Sequence, residues 1–306
     1  MSKAIVILGV FVADTAYTAP RQPVMGETLI GSRFVLGPGG KGSNQSVAAA
    51  KAGGDVHMIT RLGQDDFAKM ALDLWAECGV TPHVSHHPES YTGAAYIFIE
   101  EGSGNNAIIV SPGAAAQIAV ADLEARASVI NAAKVFMTQL EQPLSAAKHG
   151  LSMAKSAGAL TILNPAPAQE LGRDILGLCD YVTPNEIEAE QLTGVKVTTP
   201  ESAQLAAQKL LNLGAKAAVI TLGEQGALYH DGQQTLHQPA FNCGAVVETT
   251  GAGDAFNGGF AVALAEGQGI EAALRFACAT ASLSVTRQGT APAMPTRPEI
   301  EAVVSS

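Results

Sequence analysis

The apolar positions of this chain follow two rhythms. Ala4–Val10 is an unbroken run rich in Ile and Val, the pattern of a strand buried on both faces. Val56–Arg61, Val135–Gln139, Leu160–Asn164, Tyr181–Pro184 and Ala217–Thr221 read as further strands. Between them lie segments of helical period: Ser43–Ala52, Asp66–Cys78 behind an acidic cap, Leu144–Ala157, Glu186–Thr193 and Ser202–Leu213. This alternation predicts an α/β protein with a mostly parallel sheet covered on both faces. Trp75, at helical spacing, is expected in the core. Gly226–Val247 breaks the rhythm with short strands and turns, and two small-residue helices, about Gly253–Glu266 and Glu271–Val285, are expected to close the chain. The mixed strand near Thr28–Leu36 fits the alternation badly. So does the hairpin Ala94–Glu100/Ala107–Val110 with its polar turn Gly102–Asn106. The expectation is one domain over residues 1–306, with a small β lid inserted at about 15–36 and 92–111.

Composition narrows the function. With 306 residues, 47% hydrophobic and 15% charged, the chain has the makings of a large core and not of a disordered tail. Its 18 Lys+Arg against 28 Asp+Glu give a net charge of -10, which speaks against nucleic acid or an anionic membrane as partner. A small anion held by backbone N–H groups stays open. Cys78, Cys179, Cys243 and Cys278 are far apart with no C-x-x-C spacing, so neither a disulfide framework nor a zinc cluster is expected. Asp14 follows the first apolar run too closely for a signal peptide, and no run approaches the ~20 residues of a membrane span. A cytoplasmic protein is expected. His83, His86 and His87 are read as solvated loop residues, because metal ligands come as converging sets.

Two glycine clusters carry the candidate chemistry. Gly37, Gly39 and Gly42 match G-x-G-x-x-G, but the cluster follows a mixed strand instead of the first one, so a dinucleotide fingerprint is out of place. A phosphate-binding P-loop fails as well, since Gly42 follows Lys41 where Ser or Thr is required. A tight turn ahead of a helix, or a close backbone approach to a polar ligand with Lys41 and Asn44 as hydrogen-bonding groups, remains. The second cluster, Glu248-Thr249-Thr250-Gly251-Ala252-Gly253-Asp254, stands between a strand candidate and a helix start. Its amides suit an anion. Asp254 could be an ordinary first-turn acid. Beside an anion site it also suits phosphoryl transfer, accepting the proton of an attacking hydroxyl while the amides stabilise charge on phosphate.

Gly39-Gly40-Lys41-Gly42-Ser43-Asn44 together with Gly251-Ala252-Gly253-Asp254 resembles the two signatures of the ribokinase-like (phosphofructokinase B-type) carbohydrate kinases. Asn164-Pro165-Ala166-Pro167-Ala168, Pro184-Asn185-Glu186-Ile187-Glu188, Thr221-Leu222-Gly223-Glu224-Gln225-Gly226 and Arg287-Gln288-Gly289 agree in family order, so the likeness spans essentially the whole chain. The resemblance implies a three-layer α/β/α fold and ATP-dependent phosphorylation of a small sugar, D-ribose first. The alternative acceptors are 2-deoxyribose, another sugar or a nucleoside. A non-catalytic sugar or nucleotide sensor is disfavoured by the presence of Asp254 and its glycines, and an oxidoreductase by the misplaced glycine match.

By the same resemblance, Asp254 is the general base and Gly251, Ala252 and Gly253 form the anion hole. Asp14, Gly40, Lys41, Gly42, Asn44 and Glu141 bind the sugar. Asn185 contacts nucleotide phosphates and Glu188 helps to hold Mg2+, although the pair also reads as an N-cap with a first-turn acid. Thr221, Gly223, Gly226, Gly253 and Cys278 match nucleotide contacts, Cys278 equally an ordinary buried thiol. A K+ loop is implied at Glu248, Thr250, Ser284, Arg287, Gly289 and Ala293, and a homodimer through the lids. Three positions depart from the family pattern: Glu248 replaces Asp, Ala293 replaces Ser, and Val12, two residues before Asp14, replaces an Asn that can reach the sugar.

Overall fold

The structure, a computed structural model, describes residues 3–306. Its strands are β1 (Ala4–Leu8), β2 (Val12–Ala19), β3 (Arg33–Gly39), β4 (Asp55–Leu62), β5 (Thr81–His86), β6 (Thr92–Glu100), β7 (Asn106–Gly113), β8 (Val135–Thr138), β9 (Leu160–Leu163), β10 (Tyr181–Val182), β11 (Ala217–Thr221), β12 (Ala227–His230) and β13 (Thr235–Gln238). Nine form one sheet in the order β13-β12-β11-β10-β9-β8-β1-β4-β5. Within this sheet, among the described residues, only the β11–β12 and β12–β13 pairs are antiparallel.

Period-two alternation explains the layers. In β1, Ile5 and Ile7 join one apolar cluster with Trp75, Phe256 and Phe260, while Val6 and Leu8 join another with Leu123, Phe136 and Leu151. Helices Lys41–Lys51, Asp66–Cys78, Ala252–Ala265 and Ile270–Ser284 cover the first face, and Leu144–Ser156 lies on the second. Pro200–Asn212 packs Ala203, Ala206, Ala207 and Leu210 onto β11 and β12. Trp75 is fully buried, edge-on to Phe11, with Nε1 donating to Ser43 Oγ at 3.0 Å.

The second sheet, β3-β2-β6-β7, is small and mixed. Strand β2 follows β1 after only Gly9-Val10-Phe11, so the chain passes from one sheet into the other in three residues. Gly9 and Gly42 make that crossing possible. A Cβ on Gly9 would stand 2.7 Å from Gly42 Cα, closer than packed carbon allows.

Several expectations are corrected. Thr28–Ser32 is not strand; the strand is Arg33–Gly39, with Pro38 tolerated because it lies at a sheet edge. His83 and His86 belong to edge strand β5, not a loop, and His83 Nε2 lies 3.0 Å from His57 Nδ1 with the rings stacked. His87 is only partly exposed and its buried Nδ1 has no partner among the described residues. A further helix, Arg297–Val304, follows the two expected to end the chain. Gly37 and Gly39 lie on β3 and Gly42 inside the next helix, which disposes of the dinucleotide fingerprint.

Candidate active site

The carboxyl ends of β1, β8, β9, β10 and β11 line one edge of the large sheet, where ligands bind in open α/β folds. Two helices aim their N-termini there, Lys41–Lys51 and Ala252–Ala265. Each starts from a glycine held at positive φ, Gly40 at 88° and Gly251 at 81°, and neither has a side-chain cap. Gly40 is further confined because an added Cβ would meet Val10 O at 2.6 Å. Uncapped helix starts leave N–H groups for ligands.

At the first helix, Glu141 plays the missing cap: its Oε2 accepts from Lys41 N–H at 2.8 Å. At the second, Ala252 N–H is occupied by Thr249 O at 3.1 Å, while no acceptor among the described residues takes the Gly253 or Asp254 amide. Of the amides expected to form an anion hole at Gly251, Ala252 and Gly253, that of Ala252 is engaged, while those of Gly253 and its neighbour Asp254 are unpartnered among the described residues. A cleft of about 130 Å³ lies before this turn, lined by Lys41, Asn164, Thr183, Asn185, Glu188, Thr221, Gly251, Gly253 and Asp254 among others.

Asp254 is buried, its Oδ2 accepting from Asn44 Nδ2 at 3.1 Å and its Oδ1 from Gln45 Nε2 at 3.0 Å. Burial pushes its pKa up, opposed by Lys41, Gln45 and Asn44. Burial also raises Glu141 to about 7 and Asp14 to about 6. Desolvation draws the Lys41 ammonium down, but Asp254, Glu141 and Glu188 together outweigh it and its pKa rises. One lysine thus answers several carboxylates, an arrangement that favours hydroxyl donors and cations as ligands. Asp14 lies over the β3 backbone, where a Cβ at Gly39 would come within 2.5 Å of all three carboxyl atoms. Val12 sits on the same face of β2, 6% exposed, against Gly93.

Among the residues expected to contact nucleotide and metal, Asn185 and Glu188 form a reciprocal cap, Glu188 N–H to Asn185 Oδ1 at 2.8 Å and Asn185 N–H to Glu188 Oε2 at 2.9 Å. The two readings of this pair are thus not exclusive, because both residues also line the cleft. Asn185 bridges to Thr221 in parallel register. Gly223 and Gly226 have positive φ, and a Cβ on Gly226 would fall 2.0 Å from Gln238 O. Cys278 does not line the cleft; its buried Sγ donates to Gln238 O at 3.8 Å, and burial pushes the thiol up to about 12.

The family profile described as pfkB family carbohydrate kinase matches residues 2–297. The chain belongs to the pfkB family of carbohydrate kinases. It is an ATP-dependent sugar kinase with the family's α/β fold. A ribokinase from Haemophilus influenzae is 37% identical over 300 residues, covering 98% of this chain and 97% of that one. A deoxyribokinase from Salmonella typhi is also 37% identical, over 95% of each chain. The structure of Arabidopsis thaliana ribokinase complexed with ribose and ATP superposes with a TM-score of 0.95 at 31% identity, covering 100% of both chains.

Around the kinase cleft, sequence reasoning missed Gln45, Gln139, Thr183 and Asn257. Gln45 follows directly on the glycine motif, and that adjacency was the one available signal.

Proposed function

We propose that this kinase transfers the γ-phosphoryl group of ATP to a hydroxyl of a pentose, ribose in the first place, giving ribose 5-phosphate. The observation that carries this reading is Asp254, a buried carboxylate in the first turn of a helix whose own amides face the cleft. Asp254 takes the proton of the sugar hydroxyl as its oxygen bonds to the γ-phosphorus. The bond from phosphorus to the bridging oxygen breaks, and ADP leaves with that electron pair. The Gly253 and Asp254 amides and Lys41 stabilise charge gathering on the phosphoryl oxygens. Asp14, Glu141 and Asn44 orient the sugar, with Gly40 and Gly42 letting the backbone come close. Asn185, Thr221, Gly223 and Gly226 serve the nucleotide. Closure of the small sheet as a lid excludes water, the competing acceptor.

Mg2+ suits Glu188, a cleft carboxylate whose pKa burial raises despite the Asn185 amide and Lys41. It would be held through water, and when bound it offsets phosphate charge. For K+ the donors are backbone carbonyls near Glu248, Thr250, Ser284, Arg287, Gly289 and Ala293. Glu248 Oε2 accepts from Gly289 N–H at 2.8 Å and joins the two segments, while the Arg287 side chain turns to Glu299 and Ala293 brings no hydroxyl. The lid exposes Tyr17, Phe34, Leu36, Ile108, Ile109 and Val110, and a second copy's lid is the partner we assign to that surface. The need for ATP supports a cytoplasmic location.

Val12 favours a second reading. A sugar hydroxyl facing valine loses water without gaining a partner, at about 1–3 kcal/mol, a cost that 2-deoxyribose avoids if the missing hydroxyl is that one. An ADP-release assay over pentoses, hexoses and nucleosides, with and without K+, tests both readings. Turnover on ribose supports the first, near-equal kcat/KM for ribose and 2-deoxyribose supports the second, and turnover confined to hexoses or nucleosides sinks both.

A further inference from the structure

Behind Asp254 lies a chain of buried amides that the transfer chemistry leaves unused. Gln45 Nε2 donates to Asp254 Oδ1 at 3.0 Å and to Asn164 Oδ1 at 3.1 Å, and Gln45 Oε1 accepts from Gln139 Nε2 at 2.5 Å. Both glutamines are fully buried. Asn164 Oδ1, fixed as an acceptor because Asn164 Nδ2 donates to the Thr183 carbonyl, and the Gln139 donor together match one direction of the Gln45 amide. Turned over, Gln45 would set an oxygen against Asp254 and an NH2 against an NH2.

The network continues to the other side of the same turn. Asn164 Nδ2 donates to Thr183 O at 2.9 Å, Thr183 Oγ1 to Asn257 Oδ1 at 2.6 Å, and Asn257 Nδ2 to Gly253 O at 2.8 Å. Gly253 adjoins Asp254, so the circuit closes on itself. Gly9 belongs to it too, since a Cβ there would stand 2.4 Å from Gln139 Oε1. That oxygen has no partner among the described residues. Apolar side chains would fill this space without such a desolvation cost. A network built for stability alone has no need to direct its donor at one carboxylate.

We propose that Gln45 is a positioning residue for phosphoryl transfer: it holds Asp254 Oδ1 in place for the incoming hydroxyl proton, and Gln139 together with Asn164 sets the direction of its amide. The proposal rests on Asp254 being the proton acceptor. A donor to the ionised carboxylate favours that form. The charged groups that share the field of Asp254 are Lys41, Glu141 and Glu188. Removing the Gln45 donor leaves burial less opposed, so the acid limb of the rate profile moves to higher pH.

The test measures kcat, both KM values and the pH dependence of kcat for Gln45→Met, Gln139→Met, the double variant and Asp254→Asn. Gln45→Met is expected to lose roughly 10- to 100-fold in kcat, with both KM values within about threefold and the acid limb raised by about one pH unit. Gln139→Met should move the same quantities less, and the double variant should be no worse than Gln45→Met alone. A folded Gln45→Met with an unmoved acid limb and near wild-type kcat overturns the proposal. A double variant whose losses multiply removes Gln139 from it. If Gln45→Met does not fold, Gln139→Met carries the same readout, and an unmoved limb there is equally fatal. Turnover retained in Asp254→Asn would instead place the error in the acceptor assignment.

Discussion

Two glycines on the Ala252–Ala265 helix separate folding from catalysis. At Gly258 an added Cβ would lie 2.6 Å from Ala48 Cβ and 2.8 Å from Ala49 N, so that glycine is required by helix packing. At Gly253 an added Cβ meets nothing within 4 Å and the backbone is not at positive φ. Alanine in a helix is better than glycine by up to about 1 kcal/mol, which is roughly 2–4 °C in melting temperature at most for a chain of this size. Gly253→Ala should therefore melt no lower than wild type, while Gly258→Ala should lose about 1–3 kcal/mol to overpacking. Activity should run the other way at Gly253, because the methyl would stand in the cleft where we propose that phosphate meets the helix amides. A comparable steric cost there, about 1–3 kcal/mol, is roughly 5- to 150-fold in kcat/KM for ATP. Differential scanning calorimetry paired with steady-state kinetics checks both halves. Wild-type kinetics in Gly253→Ala, or a melting point lowered as in Gly258→Ala, would show that the glycine serves the fold and not the phosphate.

Asp254→Asn should lose at least ~10²–10⁴ in kcat while ATP binding by calorimetry persists; near wild-type turnover would remove it as base. Asp14→Ala should weaken sugar binding by roughly 1.5–3 kcal/mol and leave ATP affinity unchanged; equal sugar affinity in the two proteins would dismiss that contact. Burial holds the Asp14 carboxyl near pH 6, so in the wild type sugar KM should rise as pH falls through about 6, where the acceptor becomes protonated, and a flat profile speaks against it. Val12→Asn should raise the ratio of kcat/KM for ribose over 2-deoxyribose; a large ratio that the substitution leaves unmoved makes Val12 a packing residue only. K+ should activate relative to a bulky organic cation at equal ionic strength, and equal rates would count against the carbonyl loop.

The parts of this enzyme that were legible in its sequence are those where one local rule dominates. Ala217–Thr221, Asp66–Cys78 and Glu186–Thr193 have the bounds that their patterns predicted, because apolar runs and caps such as Asp65, whose Oδ1 accepts from Ala68 N–H at 2.8 Å, act within a few residues. Strand β5, Thr-Pro-His-Val-Ser-His, was hidden because an edge strand draws its order from pairing with β4 and needs no apolar run. Strand β2 was hidden because Val-Ala-Asp-Thr-Ala-Tyr-Thr-Ala gains its neighbours from distant β3 and β6. The expected site residues came from a family resemblance carried in large part by glycine motifs, whose backbone demands are local. The glutamine circuit did not, since Gln45, Gln139 and Asn164 are far apart in sequence and look like ordinary polar residues until the fold brings them together.

The three-residue passage from β1 into β2 divides the anchors we propose for the sugar between two sheets. Asp14 is carried by the small sheet, whereas Glu141 and Asp254 are carried by the large one. A sugar gripped by both is a tether across the gap, and the free energy of its binding draws the sheets together. The contacts we propose for ATP, Asn185, Thr221 and Gly223, lie on the large sheet's side and would supply no such pull. On that assignment the acceptor, not the phosphate donor, is the ligand whose binding would set the gap between the sheets.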